Sequence, residues 1–369
     1  MTIALSIPLS LIALWWALRF LPAGADGHRP VPYLLAFARF LWMPSCLIAL
    51  VALVSRHWPV AVVAVALTVG TGLFASPWYR RWLDRRAPTG NDDRQGHDVA
   101  SSVEGAEATD AITVMTLNCR YGHAGAEAIV DAVRQRHVSL LALQELTTGL
   151  VEELDAAGLS TLLPHRQLGR RSHDDNGGFN GIFTSLPVTA QKDATLGIEA
   201  ADVPGIIAGG IAFHSAHPKS PMRGCHEWSY GIRALGELAH HFSFVNEPTA
   251  TDNSGHAPGQ APSQSATAAS APNAPTPAAP ATMRATVIMG DLNSNADHPS
   301  FRALLRYGLR DAGLTAGHAR VSSFPTWLRW PRLELDHILT TPGVAATDAE
   351  TFVVPGSDHL ALAARLRTR

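Results

Sequence analysis

The sequence predicts an α/β fold, a two-sheet α/β sandwich preceded by an all-α transmembrane region. Three observations predict it. Apolar residues crowd the opening positions of a 369-residue chain whose overall composition, 46% hydrophobic and 16% charged, is ordinary for a globular protein. Behind them, short β-branched or aliphatic runs end abruptly in polar residues, and between some of those runs apolar residues recur at helical spacing. Strands alternating with helices in this way make an α/β sandwich the economical architecture.

The opening part holds three apolar runs, 3–20, 33–54 and 58–74, each near the roughly 20 residues that cross a bilayer. Residues 1–83 therefore read as a membrane region with about three transmembrane helices. No basic segment precedes the first run and two runs follow it, which argues against a cleaved signal peptide. Trp15, Trp16, Trp42, Trp58 and Trp78 sit mostly near run ends, where indole rings favour the membrane interface. If all three runs span, Arg19, Arg29, Arg80, Arg81, Arg85 and Arg86 share one side and Arg56 stands on the other. The positive-inside rule then puts the C-terminal part in the cytoplasm.

Residues 84–110 are polar and read as a linker, and 248–282 form a Pro/Ala/Ser-rich insertion with almost no large apolar residue to join a core. Cys46, Cys119 and Cys225 give neither a disulfide framework nor a paired-cysteine metal motif. A net charge of −2 lacks the field of a non-specific nucleic-acid binder, leaving one local basic patch at "HRQLGRRSH".

Strands are expected at "AITVMTLNCR", "VSLLALQEL", "GIFTSLPV", "GGIAFHSAHPKSP", "ATVIMGDLNS", "LELDHILTT" and "TFVVPGSDHL", and helices at 126–136, 230–241 and 299–307. Polar groups collect at the strand ends: Asn118, Glu145, His217, Asp291 with Asn293, Asp336, and Asp358 with His359. A lone acid after a strand is usually a cap or turn former. The recurrence of such groups at successive strand ends points instead to a shared site. In "VIMGDLNSNADHP", three apolar residues make a central strand, Gly290 permits a sharp turn, and Asp291 and Asn293 emerge where a phosphate can lie. "FHSAH" offers two histidines, His214 and His217, which face opposite sides of an extended strand, so one of them serves a site.

With "MTLNCR", "LALQEL", "HPKSP", "GDLNS", "LDHIL" and "GSDHLAL" in that order, the chain over about 112–366 resembles the endonuclease/exonuclease/phosphatase family. This is the metal-dependent fold shared by DNase I-like nucleases, sphingomyelinases and inositol polyphosphate phosphatases. The resemblance implies a DNase I-like catalytic domain over 111–369 that hydrolyses phosphate esters. It implies Glu145 as the principal metal carboxylate, Asn118 beside it as a ligand or phosphate donor, and Asp358 as a further metal contact. Hard oxygen ligands suit Mg²⁺ or Mn²⁺. His359 matches the catalytic histidine, with Asp336 orienting it and Asp291 sharing the role of base. Asn293 would hold a phosphoryl oxygen, and His217, followed by Pro218, would donate to the phosphate.

Together with the apolar runs, "GDLNSNADHPSFRALLRYGLRDAG" resembles the membrane-tethered bacterial branch that includes VanJ-type proteins, whose catalytic domain is drawn on the outer face, against the arginine count. The expectation is a multi-pass cell-membrane phosphohydrolase whose partners are the bilayer and a phosphorylated, lipid-linked substrate, with no protein partner. Nucleic acid is not favoured. The alternatives are a membrane-anchored nuclease acting on DNA and a non-catalytic binding protein. Because every motif follows Ala111, the catalytic part is expected to fold without the membrane region.

Overall fold

The computed structural model describes residues 2–76, 111–170, 178–239, 284–315 and 321–368. Trp78 and the arginines after it, the linker at 84–110, the insertion at 248–282 and part of the basic patch lie outside the described residues.

Two of the apolar runs form helices long and apolar enough to cross a membrane, α1 (Thr2–Ala17, continued by a 3₁₀ turn to Phe20) and α4 (Trp58–Ala75). The middle run does not form one straight helix. It breaks into α2 (Val31–Phe37), a 3₁₀ turn (Ala38–Phe40) and α3 (Trp42–Val54), bent by 58°. Arg39 sits in that elbow and pairs with Glu334 of the following domain at 2.8 Å; a straight span would carry its charge toward hydrocarbon, where it is costly. Thr2 Oγ1 lies 3.0 Å from His57 Nδ1, so the start of α1 meets the α3–α4 turn. The opposite helix ends gather around a T-shaped cluster of Trp16, Phe20 and Phe74, with Arg19 over the Phe74 ring.

Among the described residues, twelve strands make two six-stranded sheets. The first contains β1 (Ala111–Asn118), β2 (Leu140–Leu146), β3 (His165–Leu168), β4 (Phe179–Thr184), β11 (Val344–Val353) and β12 (Leu360–Thr368) in the order β11-β12-β1-β2-β4-β3. The second contains β5 (Val188–Lys192), β6 (Gly205–Ala208), β7 (Ile211–Ser215), β8 (Ala285–Asp291), β9 (Arg310–Asp311) and β10 (Asp336–Thr340) in the order β5-β6-β7-β8-β10-β9. The central strands are apolar on both faces because both are covered. Val114, Leu140, Ala142, Phe213, Val287, Met289 and Leu362 fill the space between the sheets. Their alternating neighbours Met115, Leu117, Leu141 and Leu143 turn outward beneath the helices Ala126–Gln135 and Thr148–Ala156. Ile288 and Leu339 do the same under Cys225–Ala234 and Pro299–Leu305.

This connectivity brings the functional groups to one edge. β1 runs parallel to β2, and β7 parallel to β8, so Asn118, Glu145 and Asp291 all stand at C-terminal strand ends. β10 and β12 run antiparallel to β8 and β1, so Asp336 and His359 arrive at the same edge from N-terminal strand ends; Asp336 is paired in register with Asp291. "TFVVPGSDHL" accordingly contains the end of β11 and the turn into β12 rather than one strand.

The segment 18–40 packs on the sandwich through buried polar contacts. Asp26 accepts the Ser300 backbone N–H at 2.8 Å and its hydroxyl at 2.6 Å. Arg19 pairs with Asp297 at 3.1 Å, and His298 Nε2 lies 3.0 Å from the Pro32 carbonyl. Tyr33 OH donates to Pro221 O at 2.9 Å and Arg29 to Met222 O at 3.0 Å. Both loops that leave β7 and β8 therefore rest on the connection between the apolar helices.

Candidate active site

Glu145 reaches the site through a break in β2. The β2–β4 register shifts between Leu143 and Leu146, and Glu145 adopts φ 53°, a left-handed conformation that a non-glycine residue rarely takes. Gly178 makes the bulge feasible, since a Cβ there would lie 2.4 Å from the Leu146 carbonyl oxygen. Such strain, of order 1–3 kcal/mol per residue, persists where surrounding structure enforces it, commonly at functional sites. The following helix is capped by Thr147, whose hydroxyl accepts the Leu150 N–H, leaving Glu145 free of a capping role.

Gly290 departs from the expected turn. It lies within β8, paired with His337, and its φ of 149° serves a close approach: a Cβ would stand 1.9 Å from the Ala216 carbonyl oxygen. That approach seats the backbone before His217 against β8. The chain turns three residues later at Asn293 (φ 49°), whose N–H donates to Asp291 Oδ1 at 2.8 Å and whose carbonyl accepts from Trp228 Nε1 at 3.1 Å.

Asp291 Oδ2 is the point of convergence. Asn118 Nδ2 lies 3.1 Å from it, His217 Nε2 3.6 Å and His359 Nε2 3.6 Å. Asn118 Nδ2 also donates to Glu145 Oε1 at 3.1 Å, and His217 Nε2 is 3.8 Å from that oxygen. Glu145 Oε2 accepts the Tyr121 N–H at 2.9 Å. His359 Nδ1 is 2.7 Å from Asp336 Oδ2, its backbone N–H donates to Ser357 Oγ, and that hydroxyl donates to Asn118 O, tying the two strand ends together. Phe324 lies over the His359 ring at 4.9 Å between centroids.

Electrostatics separate the roles. Burial raises Glu145 above the usual carboxylate range, against hydrogen bonds from Asn118 and Tyr121. Burial also raises Asp291, against the nearby His359. Burial opposes the charge on His359, yet Asp336 and Asp291 outweigh it and carry this histidine to about 10. His217 is lowered by burial. Two buried carboxylates sharing one amide donor, with Asn293 Nδ2 lacking a hydrogen-bond partner among the described residues, form an electron-rich site suited to a cation and a phosphoryl oxygen. Asp291, Asp336 and His359 also place three metal-capable donor atoms within 4.8 Å of one another.

Two expected metal contacts have particular surroundings. Asn118 Oδ1 accepts the Arg120 N–H at 2.8 Å, so the side chain turns its N–H₂ to the site, the orientation of a phosphate donor. Asp358 is half-buried, and its charge raises both Glu145 and His359. His214 points away, its Nδ1 3.1 Å from Thr195 Oγ1, and burial lowers it to about 3.

Sequence reasoning missed three contributors. Gln144 links the sheets beneath the site, taking a hydrogen bond from Thr116 and donating to Ser215 Oγ at 2.9 Å. Arg223 donates to Tyr121 OH at 2.9 Å, and its charge bears on His217. Ser357 couples His359 to Asn118; only its place in "GSDHL" hinted at this.

The pattern of the Endonuclease/Exonuclease/phosphatase family matches residues 115–359. Solved structures similar to the chain include an endonuclease/exonuclease/phosphatase family protein from Leptotrichia buccalis, at 15% identity and TM-score 0.45 over 69% of this chain and 99% of that one. A humanized D. rerio TDP2 aligns at 13% identity and TM-score 0.48 over 70% and 99%. Beta toxin from Staphylococcus aureus aligns at 14% identity and TM-score 0.43 over 70% and 100%. No curated protein matches the chain.

Proposed function

Because the chain belongs to the endonuclease/exonuclease/phosphatase family, whose members hydrolyse phosphate esters, we propose that it is a membrane-anchored, divalent-metal-dependent phosphohydrolase. Its substrate is a lipid-linked phosphate ester or phosphodiester, and it stands with the VanJ-type branch. The observation that carries this reading is the convergence of Asn118, His217 and His359 on Asp291 beside the buried Glu145.

The residues divide the work as follows. Asp336 holds His359 by Nδ1 and leaves Nε2 toward the site, and the two flanking carboxylates keep the ring protonated at neutral pH. A protonated Nε2–H donates to a phosphoryl or leaving-group oxygen. Asp291, with its second oxygen fixed by the Asn293 N–H, accepts the proton of the attacking water. Asn118 Nδ2 and Asn293 Nδ2 donate to non-bridging oxygens as charge develops. Glu145 is the carboxylate that would hold Mg²⁺ or Mn²⁺, which would supply charge relief on the phosphate when bound.

The lipid-linked substrate is supported by the contacts of 18–40 with the loops after β7 and β8, which set the site beside the apolar helices. Purified full-length protein, assayed on lipid phosphates and on DNA with and without Mg²⁺, tests the reading: metal-dependent turnover of the lipid phosphate is expected, and turnover of DNA alone would replace it with the nuclease. We place the catalytic domain on the outer face by family resemblance. Protease treatment of intact cells should then remove it, and full protection would put it in the cytoplasm.

A further inference from the structure

One loop joins the membrane region to the catalytic histidine, and its side chains face the wrong way for a soluble protein. In 324–333, "FPTWLRWPRL", Trp327 is 67% exposed and Trp330 58% exposed, with Leu328 between them. Isolated exposed apolar residues are ordinary. Two exposed indoles within four residues on a fixed loop are not.

The loop is held so that these rings cannot fold inward. Phe324 bridges to Leu333, and Arg332 turns back to donate to the carbonyls of Pro325 and Thr326, each at 3.2 Å, and to that of Leu328. The Thr326 N–H donates to Asp358 O at 2.9 Å, fastening the loop to the turn that carries His359. Trp327 meets Phe324 edge-on at 5.8 Å, and Phe324 lies over His359. At the other end Trp330 meets Phe40 edge-on at 5.8 Å, next to the Arg39–Glu334 pair. Phe40 and the exposed Phe37 belong to the elbow that leads into Trp42, the first residue of α3. Aromatic side chains on this one loop thus reach from the end of an apolar helix, where Trp330 meets Phe40, to the catalytic histidine, where Trp327 meets Phe324. Tryptophan favours the headgroup level, where its ring is desolvated and its N–H stays hydrated.

We infer that Trp327 and Trp330 form a docking lip that lies in the bilayer interface and opens the active site onto the headgroup layer, so that the substrate is a phosphate carried by a lipid still resident in the membrane. This deepens the proposed function and rests on it for the substrate; the position of the lip does not.

Two readouts separate those dependencies. The full chain carrying Cys46→Ser, which removes the exposed native thiol, and Trp327→Cys with an environment-sensitive fluorophore is reconstituted in phosphatidylcholine/phosphatidylglycerol vesicles. Quenching by lipids spin-labelled near the headgroup, with protection from aqueous iodide, is expected. Free quenching by iodide without lipid quenching would overturn the lip whatever the enzyme hydrolyses. The second readout compares vesicle-borne phosphatidic acid with water-soluble bis(p-nitrophenyl) phosphate. Trp327→Ser should lower lipid turnover at least tenfold relative to the soluble ester, and Trp327→Tyr should restore most of it. An equal loss on both substrates, or no loss on either, counts against the lip. Absence of any hydrolysis by the unmodified chain would refute the proposed function and leave the fluorescence result to decide the lip.

Discussion

The carboxylate of Asp26, in the connection between two apolar helices, accepts both the backbone N–H and the hydroxyl of Ser300, at the start of a helix of the catalytic sandwich. The aspartate is fully buried, and the Ser229 hydroxyl lies 3.4 Å from Oδ1, the oxygen that accepts the Ser300 hydroxyl. Six residues before Ser300 lies Ser294, in the loop that follows Asp291, so the connection between the apolar helices steadies the loop next to the proposed base.

Asp26→Ala should therefore destabilise the catalytic part, by about 3 kcal/mol for a buried charged acceptor removed from several donors. Thermal melting of the full chain in detergent measures it. A melt unchanged within error would show that the contact contributes nothing. By the same contacts, cutting the chain before the linker strips buried partners from Ser300, Asp297, His298 and Glu334, so a fragment beginning near Ala111 should melt well below the full chain.

Gly290→Ala should act on the site without touching a catalytic group. The new methyl must displace the Ala216 carbonyl, so His217 shifts relative to Asp291. Overpacking of this kind costs about 1–3 kcal/mol. Turnover should fall at least tenfold while the variant remains folded, read by steady-state kinetics beside a melting curve.

Much of this was legible in the sequence, for identifiable reasons. Central strands covered on both faces produce unbroken apolar runs, and "ATVIMGDLNS" could hardly be anything else. Asp291, Asp336 and His359 were readable because each stands at a strand end within a recurrent motif. Glu145 was readable as a residue but not in its manner of arrival, because a bulge and a left-handed φ depend on the close approach of Gly178, the residue before β4. Asn118 is expected as a metal ligand or a phosphate donor, and the sequence does not say which side of its amide faces the site, since that orientation is set by the Arg120 N–H. Arg19, Arg29 and Arg39 lay among apolar runs, where a charge signals topology; their partners, Asp297, the Met222 carbonyl and Glu334, are nearly two hundred or more residues away and no local pattern announces them.

His337 gives a stability prediction with a defined sign. Its Nδ1 faces Asp311 Oδ2 at 2.8 Å and its Nε2 faces the Ser294 carbonyl at 2.9 Å, two acceptors that together require both ring protons. Burial opposes that charge, but Asp311 outweighs it and raises the histidine above its ordinary value. The stabilisation is then fully present below about pH 6.5, the unfolded value, and is lost as pH rises through the higher folded value. Asp311→Asn should cost about 3 kcal/mol near pH 6, with the gap to the unmodified protein narrowing toward alkaline pH. Melting curves from pH 6 to pH 10 measure it, and a gap independent of pH would contradict a charged His337.

Asp336→Asn should lower the His359 pKa from its elevated position, because the largest charge opposing its deprotonation is removed. The folded chain, labelled at histidine carbon, reports this by NMR titration. The His359 resonance should remain protonated beyond pH 8 in the unmodified protein and titrate earlier in the variant. Turnover should fall by about 10²-fold or more, within the range that general acid–base groups supply.

The central claim is that Glu145 serves a metal ion while His359 serves the proton, and hydrolysis of a phosphate ester by the full-length protein, titrated with Mg²⁺ or Mn²⁺, tests it most directly. Glu145→Gln should show a defect partly recovered at high metal concentration. His359→Ala should lose at least about 100-fold in turnover with little change in substrate affinity, and excess metal should not recover it. Near-normal hydrolysis by both variants at every metal concentration would contradict the assignment and place the hydrolytic groups on other residues.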